Sequence, residues 1–390
     1  MSWRYQPPVL SPVTPGSLVG GIAAAAGFRG LQHQSVVGTL RQRFGASDAL
    51  LTDSGTSALI LAYRALVPPG GTIAYPGYGC IDLSAAAVRA GVRVRLYDLD
   101  PKTLSPDLDS VKHAIERGVD AIVVTHLYGY PADIVAVQDL AAMHGVPVIE
   151  DAAQGAGGTL RGARLGSLSD IAILSFGRGK GTTAGSGGAV LVRTPALCEW
   201  ARQTRRGFGV AARGGHEVVA LAAQWLLGDP LTYRLPASIP ALRLGEMVYR
   251  PAREPRTMTA AAAAILLVAL RLDEQEIRHR SARASDILSL VGETKRVLPI
   301  CSVAGGASGF LRLAVLACSG TVPTNAALGA VRGYPMTLEE HPQLQPMLAS
   351  KERSGKGAEM LRDRLFTLPT HSRVASSDLA RLRDWLNAPA

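Results

Sequence analysis

The chain has 390 residues, 47% hydrophobic and 18% charged, with a net charge of +10. That is enough apolar chain for a large domain with a smaller partner, and it argues against disorder as the dominant state. The four cysteines, Cys80, Cys198, Cys301 and Cys318, show no CxxC spacing, so neither a disulfide framework nor a zinc site is indicated and a reducing cytoplasm is the simpler setting.

Residues 1–30 are rich in Pro, Gly and Ala and read as an arm. They lack a basic segment followed by a long apolar run, so no signal peptide is expected. "ALLTDSGTSALILAYRAL" predicts a short strand, a turn and a helix. The unbroken apolar run in "AIVVTHLYG" (121–129) predicts a buried strand. In "DIVAVQDLAAMHG" (133–145), Ile134, Val137, Leu140 and Ala141 recur at helical spacing, and Gly145 closes the helix. "VPVIED" (146–151) is the next strand, which completes a βαβ unit and predicts a parallel sheet covered on both faces. "IAILSF" (171–176) and "GAVLVR" (188–193) add strands.

After Arg193 the character changes. From there to Arg256 there are ten arginines, no lysine and five acidic residues, so half of the excess charge lies in this stretch. The arginines are scattered and aromatics are few, which fits a solvated face with ordinary ion pairs better than a nucleic-acid surface. Neither "VVALAAQWLL" nor "MTAAAAAILLVAL" (258–270) is long enough to span a bilayer. A long helix through about Ile287 leads into the C-terminal part. The chain thus divides into an arm (1–30), a large α/β domain with a mostly parallel sheet (31–257, including a divergent 214–257 segment), and a linker helix with a small α+β domain (258–390).

The stretch "LSFGRGKGTTAGSGGAVLV" (174–192) places one lysine, Lys180, in a glycine-rich loop. A nucleotide-hydrolase phosphate loop needs G-x-x-x-x-G-K-[ST] before a helix; here Gly181 follows the lysine and a strand follows the loop, so that reading fails. A solvated lysine and a reactive lysine remain. Upstream, Asp151 ends a buried strand, where parallel sheets bind ligands and where a carboxylate needs a partner. "DSGTSA" (53–58) joins strand to helix, and Gly55, Thr56 and Ser57 at that helix N-terminus make an anion site. A phosphate cradle, an acid for a ring nitrogen and an amine are together what pyridoxal phosphate requires.

The sequence resembles the DegT/DnrJ/EryC1/StrS sugar aminotransferases of the fold-type I pyridoxal-phosphate enzymes. The likeness is dense from about Leu50 to Val192, in "DSGTSAL", "YPGYGCIDLSAAAVRAG", "THLYGYPADI", "VIEDAAQGAGGTLRGARLGSLSDIAILSFGRGK" and "GSGGAVLV", and returns in "GAEMLRDRLFTLPTH" (357–371). It implies that Lys180 bonds the cofactor covalently and later moves protons. It also implies that Asp151 faces the pyridine nitrogen, Gln154 the ring hydroxyl, and Ser175 with the Gly55, Thr56 and Ser57 turn the phosphate. Cys80 falls where many relatives place an aromatic ring over the pyridine, so stacking is weaker here; a small buried apolar residue is the equal alternative. His126 reads as a structural or supporting histidine.

The resemblance further implies a homodimer and an amino-group transfer from an amino acid, glutamate being the expected donor, to a carbonyl acceptor, expected to be a nucleotide-linked keto-sugar. Two departures keep alternatives open. The partner-contacting Asn-Tyr-Arg-Met segment of relatives is matched only by "EPRTMTAAAA" (254–263) or "VYRP" (248–251), neither with an asparagine. The 214–257 segment is longer and more apolar than usual. Its Trp225, Leu226, Leu227, Leu231 and Tyr233, with Arg234, Arg243 and Arg250, suit a wall over the acceptor site; an anionic membrane surface or a packing segment fit as well. A non-sugar or lipid-attached acceptor, or a member of the fold that binds without turnover, are the alternatives.

Overall fold

The computed structural model describes residues 4–28, 30, 32–239, 248–318, 324–350 and 353–388. The first helices are α1 (Pro15–Ala25) and α2 (Gln32–Phe44). An alternation of strands and helices follows: β1 (Asp48–Thr52), α3 (Gly55–Leu66), β2 (Thr72–Pro76), α4 (Asp82–Ala90), β3 (Arg93–Tyr97), α5 (Leu108–Glu116), β4 (Ala121–Thr125), α6 (Ile134–Ala142) and β5 (Val148–Asp151). A small hairpin, β6 (Thr159–Leu160) and β7 (Ala163–Arg164), precedes β8 (Ile171–Ser175) and β9 (Gly188–Val192).

Seven of these strands make one sheet in the order β1-β9-β8-β5-β4-β2-β3. Only β9 is reversed, antiparallel to both β8 and β1. The strands are short apolar runs because helices cover both faces: every residue of β4 is buried, as are all of β9's. Burying each such Val, Ile or Leu contributes roughly 1.5–3 kcal/mol. Side-chain caps start the crossover helices. Ser54 accepts from the Ser57 N–H at α3, Asp107 from Ser110 at α5, and Asp133 from Ala136 at α6, each cap contributing about 1 kcal/mol.

Beyond the sheet come α7 (Pro195–Gly207), α8 (Gly215–Leu227), the short α9 (Arg234–Ala237) and the 33-residue α10 (Ala260–Gly292). The strands β10 (Val297–Pro299), β11 (Gly306–Ala307), β12 (Leu313–Ala317), β13 (Val331–Arg332) and β14 (Leu365–Leu368) follow, with α11 (Lys356–Arg364) and α12 (Ser376–Asn387). A second, antiparallel sheet has the order β10-β12-β14-β13, while β11 joins the β6-β7 hairpin. Ile287 and Val291 of α10, Phe366 of β14 and Leu382 of α12 share its core. Among the described residues no helix is long and apolar enough to cross a membrane.

Three boundaries differ from the sequence reading. Within residues 1–30, α1 forms and lies along α10. Its start signal is Thr14, which caps the Ser17 N–H ahead of Pro15. The helix after Asp133 ends at Ala142, and Gly145, at φ 66°, lies in the turn beyond it. The long helix runs past Ile287 to Gly292.

The remainder of the arm is pinned to the C-terminal part. Arg4 pairs with Asp378 at 2.9 Å, Gln6 donates to the same carboxylate at 2.7 Å, and the Pro7 carbonyl accepts from His371 Nε2 at 2.9 Å. Residues 9–11 thereby reach the glycine-rich loop: the Ser11 hydroxyl donates to the Lys180 carbonyl.

Candidate active site

The parallel strands bring the sequence-predicted residues to one edge. Asp151 is the last residue of β5 and Ser175 the last of β8; Gly55 opens α3, directly after β1. Lys180 lies in the connection between β8 and its antiparallel neighbour β9, so the loop turns back over that edge.

Asp151 and its neighbour Glu150 leave β5 on opposite faces, as strand alternation requires. Glu150 is fully buried and spends its carboxylate on structure. Its Oε1 accepts from His126 Nε2 at 3.1 Å, and its Oε2 from the N–H groups of Leu168 at 2.8 Å and Ser169 at 3.2 Å. His126 Nδ1 accepts the Ala132 N–H at 3.0 Å, which assigns the ring proton to Nε2 and makes this histidine a clip between two turns. Asp151 has fewer donors: the Ala153 N–H at 3.0 Å and the Thr125 hydroxyl at 3.3 Å. Burial raises its carboxyl above the ordinary value, against the Ala153 hydrogen bond and the Lys180 charge, which both pull it down.

Lys180 is half-buried, and its amine makes no ion pair or hydrogen bond among the described residues. Two glycines set the close approaches around it. A Cβ on Gly181 would lie 2.8 Å from the Ala156 Cα, and one on Gly55 would lie 2.6 Å from both Cβ and Oγ of Ser175. The second contact brings the Ser175 hydroxyl against the first turn of α3, whose leading N–H groups have no intrahelical acceptor. Ser57 is partly committed to its own helix, since its N–H and hydroxyl both meet Ser54 Oγ at 3.0 Å. Gly55 and Thr56 remain half-exposed.

Cys80 sits in the connection from β2 to α4. Desolvation pushes its thiol up to about 12, so it is a neutral thiol at physiological pH. Three tyrosines that the sequence reading did not single out stand around it. Tyr334 lies 5.6 Å from Tyr128 in a stacked arrangement and 5.4 Å from Tyr78 edge-on. Gln154 Nε2 donates to the Tyr334 hydroxyl at 2.8 Å, and Gln154 Oε1 accepts the Tyr128 N–H at 3.3 Å, which fixes the amide's orientation. Arg312, just before β12, donates its backbone N–H to the Tyr128 carbonyl at 3.3 Å. Tyr128 carries a signal in its setting within "THLYGYP": its φ is 54°. Tyr334 and Arg312 carry none, because they join the site only through the second sheet.

The 214–257 segment reaches the same neighbourhood: Glu217 of α8 accepts from the Ser186 hydroxyl of the glycine-rich loop at 2.9 Å. Tyr233 lies 6.2 Å from Tyr5 of the arm, and the Arg312 charge acts on its phenol. Leu226, Leu231 and the Arg234 side chain are exposed; Gln224 donates to the Ser11 carbonyl at 3.2 Å, and Gln224, Trp225, Ser11 and Arg373 line a cleft of about 200 Å³. Arg243 lies outside the described residues.

The model of the DegT/DnrJ/EryC1/StrS aminotransferase family matches residues 28–386. An L-glutamine:2-deoxy-scyllo-inosose aminotransferase from Streptoalloteichus tenebrarius is 35% identical over 154 residues, 39% of this chain and 36% of that protein. A 3-amino-5-hydroxybenzoate synthase from Amycolatopsis mediterranei is 38% identical over 148 residues, 38% of each chain. The aligned stretch thus spans little more than a third of either relative. The solved structure of the aminotransferase TlmJ from Streptoalloteichus hindustanus matches with a TM-score of 0.74 at 22% identity, covering 98% of this chain and 96% of that one; the fold is what they share.

Proposed function

The chain belongs to the DegT/DnrJ/EryC1/StrS aminotransferase family, and on that premise we propose that it is a pyridoxal-phosphate enzyme moving an amino group from an amino acid to a keto-sugar. One observation carries this reading: Asp151, Gln154, Ser175, Lys180 and the start of α3 meet at the carboxyl edge of one parallel sheet. Glutamate as donor and a nucleotide-linked acceptor are the finer parts of the proposal. A non-sugar cyclic ketone is the second reading, supported by the likeness to a 3-amino-5-hydroxybenzoate synthase.

The residues present fit the cofactor. The cradle formed by the Gly55–Ser175 contact offers hydroxyls and first-turn N–H groups to a phosphate. Asp151 is a desolvated carboxylate with two hydrogen-bond donors among the described residues, suited to a protonated ring nitrogen. Gln154 is held with its amide toward the same site, and Cys80 would lie at the ring face with less stacking area than an aromatic side chain. When bound, pyridoxal phosphate supplies the electron sink that lets an amino group move between carbons.

The chain's own residues do the rest. Among the described residues no carboxylate is paired with the Lys180 amine, so Nζ would be the group that holds the cofactor and, with it bound, would serve as the proton carrier of the site. Asp151 would face the protonated ring nitrogen of the bound cofactor, a positive charge that would relieve the cost of burying its carboxylate. The stacked Tyr128 and Tyr334 wall the site against water. Cytoplasmic placement and a homodimer belong to the same proposal. In support of the dimer, Val19 and Ile22 of α1 and Val219 and Leu226 of α8 are exposed apolar side chains on two helices that touch each other.

The test is a screen of amino-acid donors against the purified, cofactor-loaded protein. At least one donor is expected to shift the cofactor's visible absorbance and release the matching keto acid. No response to any of the common amino acids would refute the aminotransferase reading.

A further inference from the structure

We propose that Asp273 of α10 is a positioning residue for Lys180: it fixes the glycine-rich loop through the Thr182 hydroxyl and so sets where the lysine amine stands. The proposal rests on the reading above that Lys180 holds the cofactor.

The loop between β8 and β9 has little to hold it from within. Gly179, Gly185 and Gly187 take φ angles of 78°, 83° and 106°, and the Lys180 N–H reaches the Gly177 carbonyl at a long 3.3 Å. A run this rich in glycine has much conformational freedom to lose, so its shape has to be set by contacts from other elements.

Two buried carboxylates from two helices supply such contacts. Thr182 Oγ1 donates to Asp273 Oδ1 of α10 at 2.7 Å, and Ser186 Oγ donates to Glu217 Oε1 of α8 at 2.9 Å. Hydrogen bonds to an ionised acceptor are the stronger kind. The two anchors differ in their distance from the chemistry. Thr182 is two residues beyond Lys180, and the intervening Gly181 is packed on the Ala156 turn. Ser186 lies at the far end of the loop, next to the start of β9.

Asp273 is itself held in place. Its Oδ2 accepts from Arg43 Nη1 of α2 at 2.7 Å, and Arg43 Nη2 donates to the Leu270 carbonyl on the preceding turn of α10 at 2.6 Å. Arg164 Nη1 stands 3.8 Å from the same oxygen. The arginines offset the burial of the charge at Oδ2, and Oδ1 takes the loop. Two turns further along the same face of α10, Arg280 Nη2 donates to the Ala156 carbonyl at 2.8 Å, in the turn on which Gly181 packs. One helix therefore grips the Lys180 turn at two points. A cavity of about 50 Å³ lined by Ser175, Gly181, Thr182 and Asp273 leaves the loop room to shift once the hydroxyl contact is gone, so packing alone does not fix it. A small displacement of Lys180 matters because its amine must meet one carbon of the cofactor at bonding geometry.

The experiment uses the full-length protein, freed of cofactor and reloaded. Thr182→Val keeps the side-chain shape and loses the hydroxyl; Thr182→Ser keeps the hydroxyl; Ser186→Ala removes the far anchor. Affinity for pyridoxal phosphate is read by titration, and the pH midpoint of the bound cofactor's visible absorbance by spectroscopy. Thr182→Val is expected to weaken affinity about tenfold, the scale of one hydrogen bond to a charged acceptor, and to move the absorbance midpoint by about half a pH unit or more. Thr182→Ser is expected to restore both. Asp273→Asn, which keeps an oxygen for Thr182 and loses the charge, is expected to fall between the valine variant and wild type. Ser186→Ala is expected to lower the melting temperature and leave the midpoint in place. If Thr182→Val does not fold, Thr182→Ala carries the same comparison with Thr182→Ser. An unmoved midpoint in the valine variant, a serine variant that behaves like it, or an equal shift in Ser186→Ala would overturn the assignment. In each of those results the wild-type protein still acquires the cofactor's absorbance; failure of the underlying reading leaves wild type without it, and the proposal falls with that reading.

Discussion

The edge of the seven-stranded sheet and the wall that faces it differ in how their side chains are held. At the edge, Gly55, Asp151, Ser175 and Lys180 sit at the ends of strands of one sheet or in the turns directly after them, so the strand order alone brings them together. In the wall, Tyr128, Tyr334 and Arg312 come from three distant stretches and meet only because β12 and the segment after β13 fold back over the sheet. The first kind of site is built by local geometry and leaves a motif. The second is built by tertiary packing, and it is where a substrate rather than a cofactor is expected to be read.

The sharpest way to break this contrast lies within the edge itself. Asp151→Asn should lower the transamination rate by about a hundredfold or more, since loss of a charge used in the reacting state costs about 1.4 kcal/mol per factor of ten. Its unfolding midpoint should stay near wild type; a near-wild-type rate would remove Asp151 from the chemistry. Glu150→Ala, one residue earlier, should do the reverse. It leaves His126 and the Leu168 and Ser169 N–H groups without their acceptor, and breaking a buried charged network of this kind costs about 3–5 kcal/mol in denaturant unfolding. A stability loss below about 1 kcal/mol would contradict the structural role.

The arm gives a smaller, pH-dependent effect. Burial lowers the His371 imidazole to about 4, and its Nε2 proton is used by the Pro7 carbonyl. An unfolded histidine titrates near 6.5, so below that pH the unfolded chain binds the proton first. Stability from this group is intact above about pH 6.5 and is lost progressively as the pH falls toward 4, by at most about 3 kcal/mol from the size of the shift. Unfolding curves from pH 7 to pH 4 should show that loss, and His371→Gln should flatten it. Equal slopes in the two proteins would show that the arm is held by other contacts.

Much of the edge is legible in sequence for a physical reason. A parallel sheet covered on both faces needs unbroken apolar strands, and "AIVVT" and "GAVLV" announce themselves; Asp151 stands out as the charge that ends such a run. Lys180 is visible because glycines surround it. Helix α1 is the counterexample in the fold. Its Thr14-Pro15 start is readable, but the Gly- and Ala-rich run after it has the composition of a linker, and α10 is what gives it a surface to lie on. In the site, Tyr334 and Arg312 have ordinary surroundings in sequence, and nothing in "GFLRLAVLA" or "RGYPMTLEE" separates a wall residue from a core or surface one. Ser57 shows the limit even inside a motif, since Ser54 caps its N–H and leaves Gly55, Thr56 and Ser175 as the more open part of the cradle.

The central claim is that Lys180 is the covalent attachment point for pyridoxal phosphate, and it is tested most directly by borohydride reduction of the cofactor-treated protein followed by peptide mass mapping. The account predicts one pyridoxyl-modified peptide, carrying Lys180, and its loss in Lys180→Ala. Modification centred on another lysine, or no modification at all, would contradict it.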